Sequence, residues 1–103
     1  MQKRKRRVIK TLNYKLQVKP LTDINGIIGW TVNTFAQAKN FVAEKLKKRD
    51  RIKYIMVDET VIREKQVVRG EIVCVSETEH RIIASAIIYA HYNGDVDLII
   101  EYY

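Results

Sequence analysis

With 103 residues, an apolar share of 47% and a single cysteine, the chain fits one domain that buries a modest core without disulfides or a metal, and its composition excludes a disordered polymer. The net charge of +7 is unevenly divided: residues 1–57 hold 15 Lys/Arg against 3 Asp/Glu, and residues 58–103 hold 4 against 9. No stretch approaches the roughly 20 apolar residues of a membrane-spanning helix, and no Walker loop, zinc spacing or dinucleotide fingerprint occurs.

The chain opens on a basic arm, residues 1–7, with Lys3, Arg4, Lys5, Arg6 and Arg7, ahead of a single domain, residues 8–103. Lys10, Thr11, Asn13 and Lys15 interrupt the segment after the arm, so it does not open a secretory signal. Cys74 lies in the apolar run Ile72, Val73, Cys74, Val75. A lone cysteine there asks for no oxidising compartment and reads as a small buried hydrophobe. These features predict an intracellular, cytoplasmic protein with no membrane association; secretion after removal of a leader is the alternative.

Residues 8–19 alternate as a half-exposed strand that Pro20 ends. Leu12, Tyr14, Leu16 and Val18 share one face; Thr11, Asn13, Lys15, Gln17 and Lys19 share the other. After a loop at residues 22–26, residues 27–32 read as a second, irregular strand. Thr34 and Gln37 have the spacing of a capping box, and Phe35, Ala38, Val42 and Leu46 recur at helical spacing. Together they predict a helix over residues 34–48 with those four positions in the core. Lys45, Lys47, Lys48 and Arg49 crowd its last turn, where cations suit the helix dipole.

From Arg51 onward the period is two. Strands are expected over residues 51–64, with a bulge near Asp58 and Glu59, then over 70–76, 79–92 and 95–103. Asn93 and Gly94 are a preferred pair for a two-residue hairpin loop. Such a loop sets His91 opposite Val96, Tyr89 opposite Leu98 and Ile87 opposite Ile100, and makes that the core face beneath the helix. The expected fold class is α+β: one helix on a four- to five-stranded antiparallel sheet, with the N-terminal strand as an addition.

Three segments then resemble, in order, the cystatins, protein inhibitors of papain-like cysteine proteases. Gly29, Trp30 and Thr31 precede the predicted helix as a Gly-Gly-Trp segment does in that family. The helix carries Ala38, Lys39, Asn40, Phe41, Val42, Ala43 and Glu44. Gln66, Val67, Val68, Arg69 and Gly70 match the family's Gln-x-Val-x-Gly signature. The resemblance covers about residues 26–103. It implies that Gln66 to Gly70 form an exposed hairpin wedge that blocks a protease cleft uncut. Tyr92 and Asn93 stand in the second hairpin, where the family carries a Pro-Trp pair, and Gly29 and Trp30 supply an N-terminal contact. The implied partner is a cysteine protease. Without the family, the adjacent valines Val67 and Val68 fit either an exposed tip or a long bulged strand, and Gly70 supplies a possible positive φ.

Two other readings stand beside that one. The arm residues with Lys15 and Lys19 offer phosphate contacts to nucleic acid, contacts that would be nonspecific and salt-dependent. A scaffold or interaction protein of the same fold, without inhibitory activity, is the third reading. His80 and His91 differ in strand phase and cannot join in one site on one sheet. The expectation is therefore a protein that is not an enzyme, with no cofactor and no metal.

Overall fold

The computed structural model describes residues 7–22, 26–46 and 51–103. The elements are β1 (Lys10–Gln17), α1 (Ile27–Lys45), β2 (Ile52–Ile62), a single 3-10 turn (Arg63–Lys65), β3 (Val67–Ser76), β4 (Arg81–His91) and β5 (Asp95–Tyr102). All five strands form one antiparallel sheet in the order β1-β5-β4-β3-β2. The single helix covers one face of it, so the α+β class expected from the sequence is the observed one. Among the described residues, no helix is long and apolar enough to cross a membrane.

The helix begins at Ile27 rather than at Thr34. The core stripe of Phe35, Ala38, Val42 and Leu46, all buried, runs back through Thr34, Thr31 and Ile27 at the same 3.6-residue spacing. β-Branched residues at 27, 28, 31 and 32 imitate a strand, but the Thr31 hydroxyl donates to the Ile27 carbonyl at 2.6 Å, a bond within the helix. Thr34, read as a cap, is instead a core position, 1% exposed, and its hydroxyl has no hydrogen-bond partner among the described residues. Lys47, Lys48 and Arg49 lie outside the described residues.

The β4–β5 turn is the second departure. Ala90 pairs with Val96, Ile88 with Leu98 and Ala86 with Ile100, one residue out of the register that a two-residue loop would set. The loop has three residues, Tyr92, Asn93 and Gly94. The Gly94 amide donates to the His91 carbonyl at 2.9 Å and Gly94 takes φ +97, the type I turn followed by a left-handed residue. A slip of one residue exchanges the faces of a strand. Val96, Leu98, Ile100 and Tyr102 face the helix as expected, but from β4 it is Ala84, Ala86, Ile88 and Ala90 that join them. His91, Tyr89, Ile87 and Ser85 turn away.

Small residues at Ala84, Ala86, Ala90 and Gly70 let the helix settle closely on β3 and β4. Phe35 lies directly over Gly70: a methyl group there would come within 2.6 Å of the ring. Gly70 has no positive φ. Glycine is demanded by the ring above it and not by a turn. Toward β1, Phe41 meets Tyr14 edge to face at 5.0 Å, and the Lys45 ammonium sits 5.0 Å from both rings.

Gly70→Ala is expected to lower stability by about 1–3 kcal/mol through overpacking, read as a shift in the urea midpoint. Phe35→Leu in the same chain should return part of the loss, because the smaller side chain vacates the methyl's space. A neutral Gly70→Ala would show that the ring is free to move aside.

Candidate functional site

One end of the sheet gathers the segments singled out in the sequence. The 3-10 turn ends on Gln66, whose left-handed backbone, φ 52, completes the reversal before β3 begins. The Tyr92 amide donates to the Gln66 carbonyl at 3.0 Å. The Tyr92 ring meets Trp30 edge to face at 5.9 Å, and Trp30 Nε1 donates to the Lys19 carbonyl at 2.7 Å. The Leu21 amide in turn donates to the Tyr92 carbonyl. A shallow groove of about 290 Å³ runs along this seam, lined by Lys19, Leu21, Gly29 and Trp30 among others. Gln66, Tyr92, Asn93, Gly29 and Trp30 thus lie about one end of the molecule. Gly29 and Trp30 are there as part of the first helical turns, not as a strand.

The apolar part of the expected wedge is elsewhere. Val67 and Val68 are the first residues of β3, 5% and 0% exposed, paired with Ile62 and Val61 on one side and with His91 and Ala90 on the other. The exposed tip is Arg63, Glu64, Lys65 and Gln66. β3 begins at Val67, three residues earlier than the expected strand, because Gln66 accepts the left-handed conformation and completes the turn there, and both valines are drawn into the ladder. Arg69 is held inside the sheet's outer face, 3.0 Å from Asp58 and 3.9 Å from Glu71, with its guanidinium over the Tyr89 ring. Its pKa is raised first by Tyr89 and then by the two carboxylates.

The basic row of β1 faces acids. β1 pairs with β5 so that Lys15 lies opposite Asp97 and Gln17 opposite Asp95. Lys15 Nζ donates to Asp97 at 2.8 Å and Gln17 Nε2 to Asp95 at 2.9 Å. The Lys15 hydrogen bond holds the Asp97 carboxyl below its ordinary range, helped by His91 at 3.2 Å. Lys15 is therefore already engaged. Arg7 and Lys19 are exposed; Lys3, Arg4, Lys5 and Arg6 lie outside the described residues. Among the described residues, no three His, Cys, Asp or Glu side chains come together as metal ligands. His80 sits in the β3–β4 turn and His91 at the far end of β4.

A second surface was not singled out in the sequence. Among the described residues, β2 is hydrogen-bonded to β3 alone and forms the edge of the sheet. Ile55, Met56, Val57 and Val61 are 38–51% exposed. Between this strand and α1 lies a groove of about 350 Å³ lined by Val32, Phe35, Tyr54, Met56 and Ile72, with Lys39 and Glu59 also in its lining. Val32 and Ile28 on the helix are 65% and 77% exposed. The bulge at Val57, between Met56 opposite Ile72 and Asp58 opposite Glu71, lies one residue from its expected place. The four consecutive apolar residues Tyr54, Ile55, Met56 and Val57 were the available signal: alternation at a solvated edge does not call for apolar side chains on both faces.

Compared with family models, with curated proteins and with solved structures, the chain matches none of them.

Cys74 lies opposite Tyr54, fully buried, and burial pushes its thiol up to about 12. It is no thiolate nucleophile at neutral pH. Iodoacetamide should modify it only in unfolded protein, with no acceleration between about pH 7 and about pH 9, where an exposed thiol ionises. The folded thiol keeps its proton beyond the unfolded value of about 8.5, so its contribution to stability is complete below that pH and declines as pH rises towards 12. Fast native labelling that climbs with pH would contradict this burial.

Proposed function

We propose that the protein is an interaction domain that binds another polypeptide along the β2 edge and the adjoining groove under α1. The observation that carries this is the open edge of β2, with Ile55, Met56, Val57 and Val61 exposed beside an apolar groove. An edge strand offers a row of unpaired backbone donors and acceptors, and natural sheets usually blunt such edges with charge or proline. Here the first half of the edge, apart from Lys53, is apolar. An extended segment added to it would gain main-chain hydrogen bonds, with alternate side chains reaching the groove.

The protease-inhibitor reading draws support from the gathering of Gln66, Tyr92 and Trp30 at one end. It lacks the exposed apolar contact it needs, since Val67 and Val68 are buried. The nucleic-acid reading is weakened where Lys15 is already paired with Asp97.

Selection of displayed peptides against the folded chain tests the proposal. Selected peptides should alternate apolar and polar residues, protect β2 amides from exchange, and lose about tenfold or more in affinity on Val61→Lys, a partly exposed edge position where burying an unpaired charge is costly. Peptides that protect the turns at residues 63–66 and 91–94 instead, together with inhibition of papain that survives Val61→Lys, would overturn it in favour of the wedge.

A further inference from the structure

The edge of β2 is charged in a way that complements itself. Lys53 stands near its start, and Asp58 and Glu59 stand beyond the bulge. Among the described residues, neither Lys53 nor Glu59 has an ion-pair partner. Asp58 uses Oδ2 for Arg69, which leaves Oδ1 available.

The pairing with β3 fixes which β2 side chains share a face. Tyr54, Met56 and Glu59 lie opposite Cys74, Ile72 and Gly70 on the helix side. Lys53, Ile55 and Asp58 lie opposite Val75, Val73 and Glu71 on the outer side. Two β2 strands laid antiparallel about a two-fold axis perpendicular to the sheet keep these faces in common. With the axis at Ile55, the outer face sets Lys53 of each copy opposite Asp58 of the other, with the two Ile55 side chains between them. On the helix face Tyr54 of each copy meets Met56 of the other. Val57, the bulged residue between Met56 and Asp58, is skipped in this register, and that skip is what brings Asp58 rather than Val57 opposite Lys53. Tyr54, Ile55 and Met56 are then each met by an apolar side chain of the other copy, and Lys53 at either end is met by Asp58.

We infer that the segment this edge binds is β2 of a second copy, and that the protein forms a two-fold dimer whose sheets join into one of ten strands, centred on Ile55. This rests on the interaction surface proposed above and names its occupant. Both helices lie on the same side of the joined sheet, and the two grooves beside Tyr54 and Met56 adjoin across the axis.

Charge exchange tests the register. The wild-type chain, 12.1 kDa, should sediment at twice that mass with a concentration-dependent monomer fraction. Lys53→Asp puts like charges opposite each other at two symmetric places, as does Asp58→Lys, and each should weaken the dimer by about tenfold or more. The two single variants mixed together should form a heterodimer, because at both contacts an acid of the first variant then faces a lysine of the second. The double variant should recover self-association. Circular dichroism confirms the fold of each variant, since Asp58→Lys also removes the Arg69 pair. A wild-type chain that stays monomeric at millimolar concentration overturns the inference, and so does a dimer indifferent to both swaps. A monomer that still binds selected peptides along β2 overturns the dimer alone and leaves the interaction surface standing; a monomer whose peptides bind elsewhere overturns both.

Discussion

The contact of Phe35 with Gly70 sets the distance between helix and sheet. The ring occupies the space where any β-carbon at position 70 would stand, so the helix comes down to backbone at that point. Ala84, Ala86 and Ala90 on β4 extend the shallow floor. Larger residues, Leu98, Ile100 and Val96, then fill the space nearer β5. Such a graded floor fixes where the helix crosses, and the rest depends on that position. Trp30 reaches Tyr92 at one end, Phe41 reaches Tyr14 on β1, and a groove is left where the helix does not cover Tyr54 and Met56 on β2. In this fold the open groove and the closed core are two consequences of one seat.

Part of the charge asymmetry is answered within the sheet. The basic N-terminal strand pairs with the acidic C-terminal one, and Lys15 with Asp97 and Gln17 with Asp95 bridge the ends of the chain. Both residues of the ion pair are well exposed, so the pair adds little energy by itself. Its effect is on register and choice of neighbour: a basic edge strand beside the acidic β5 has its charges answered in one alignment. The basic row of β1 therefore serves the sheet before it can serve a phosphate.

The two sheet edges differ in kind. β1 carries lysine and polar side chains along its exposed face, the usual protection of an edge. β2 carries Ile55, Met56 and Val57 instead, with Lys53 before them and a bulge and two acids beyond. Since β1 is bonded to β5 on its inner side and β2 to β3 on its inner side, the sheet is a ladder with one polar edge and one apolar edge.

The amino-acid sequence by itself determined the α+β class, the alternation of β1, the helix stripe of Phe35, Ala38, Val42 and Leu46, and the run of strands after the helix. Each of these is a local period or a hydrophobic pattern, and local sterics and burial enforce it. It left the helix start at Ile27 hidden, because Thr31 and Thr34 are core residues only when the sheet lies beneath them. It set the β4–β5 register one residue off, because Asn93 and Gly94 serve a two- or a three-residue loop equally well, and packing under the helix decides between Ile88 and Ile87. It made Gly70 look like a turn glycine and Val67 and Val68 look like a tip, because nothing nearby in sequence reveals that Phe35, far earlier in the chain, rests on that strand. The pairing of β1 with β5, the burial of both valines and the exposure of β2 were decided by the tertiary structure alone. They depend on which strand lies beside which, and that is set by contacts between residues far apart in the chain.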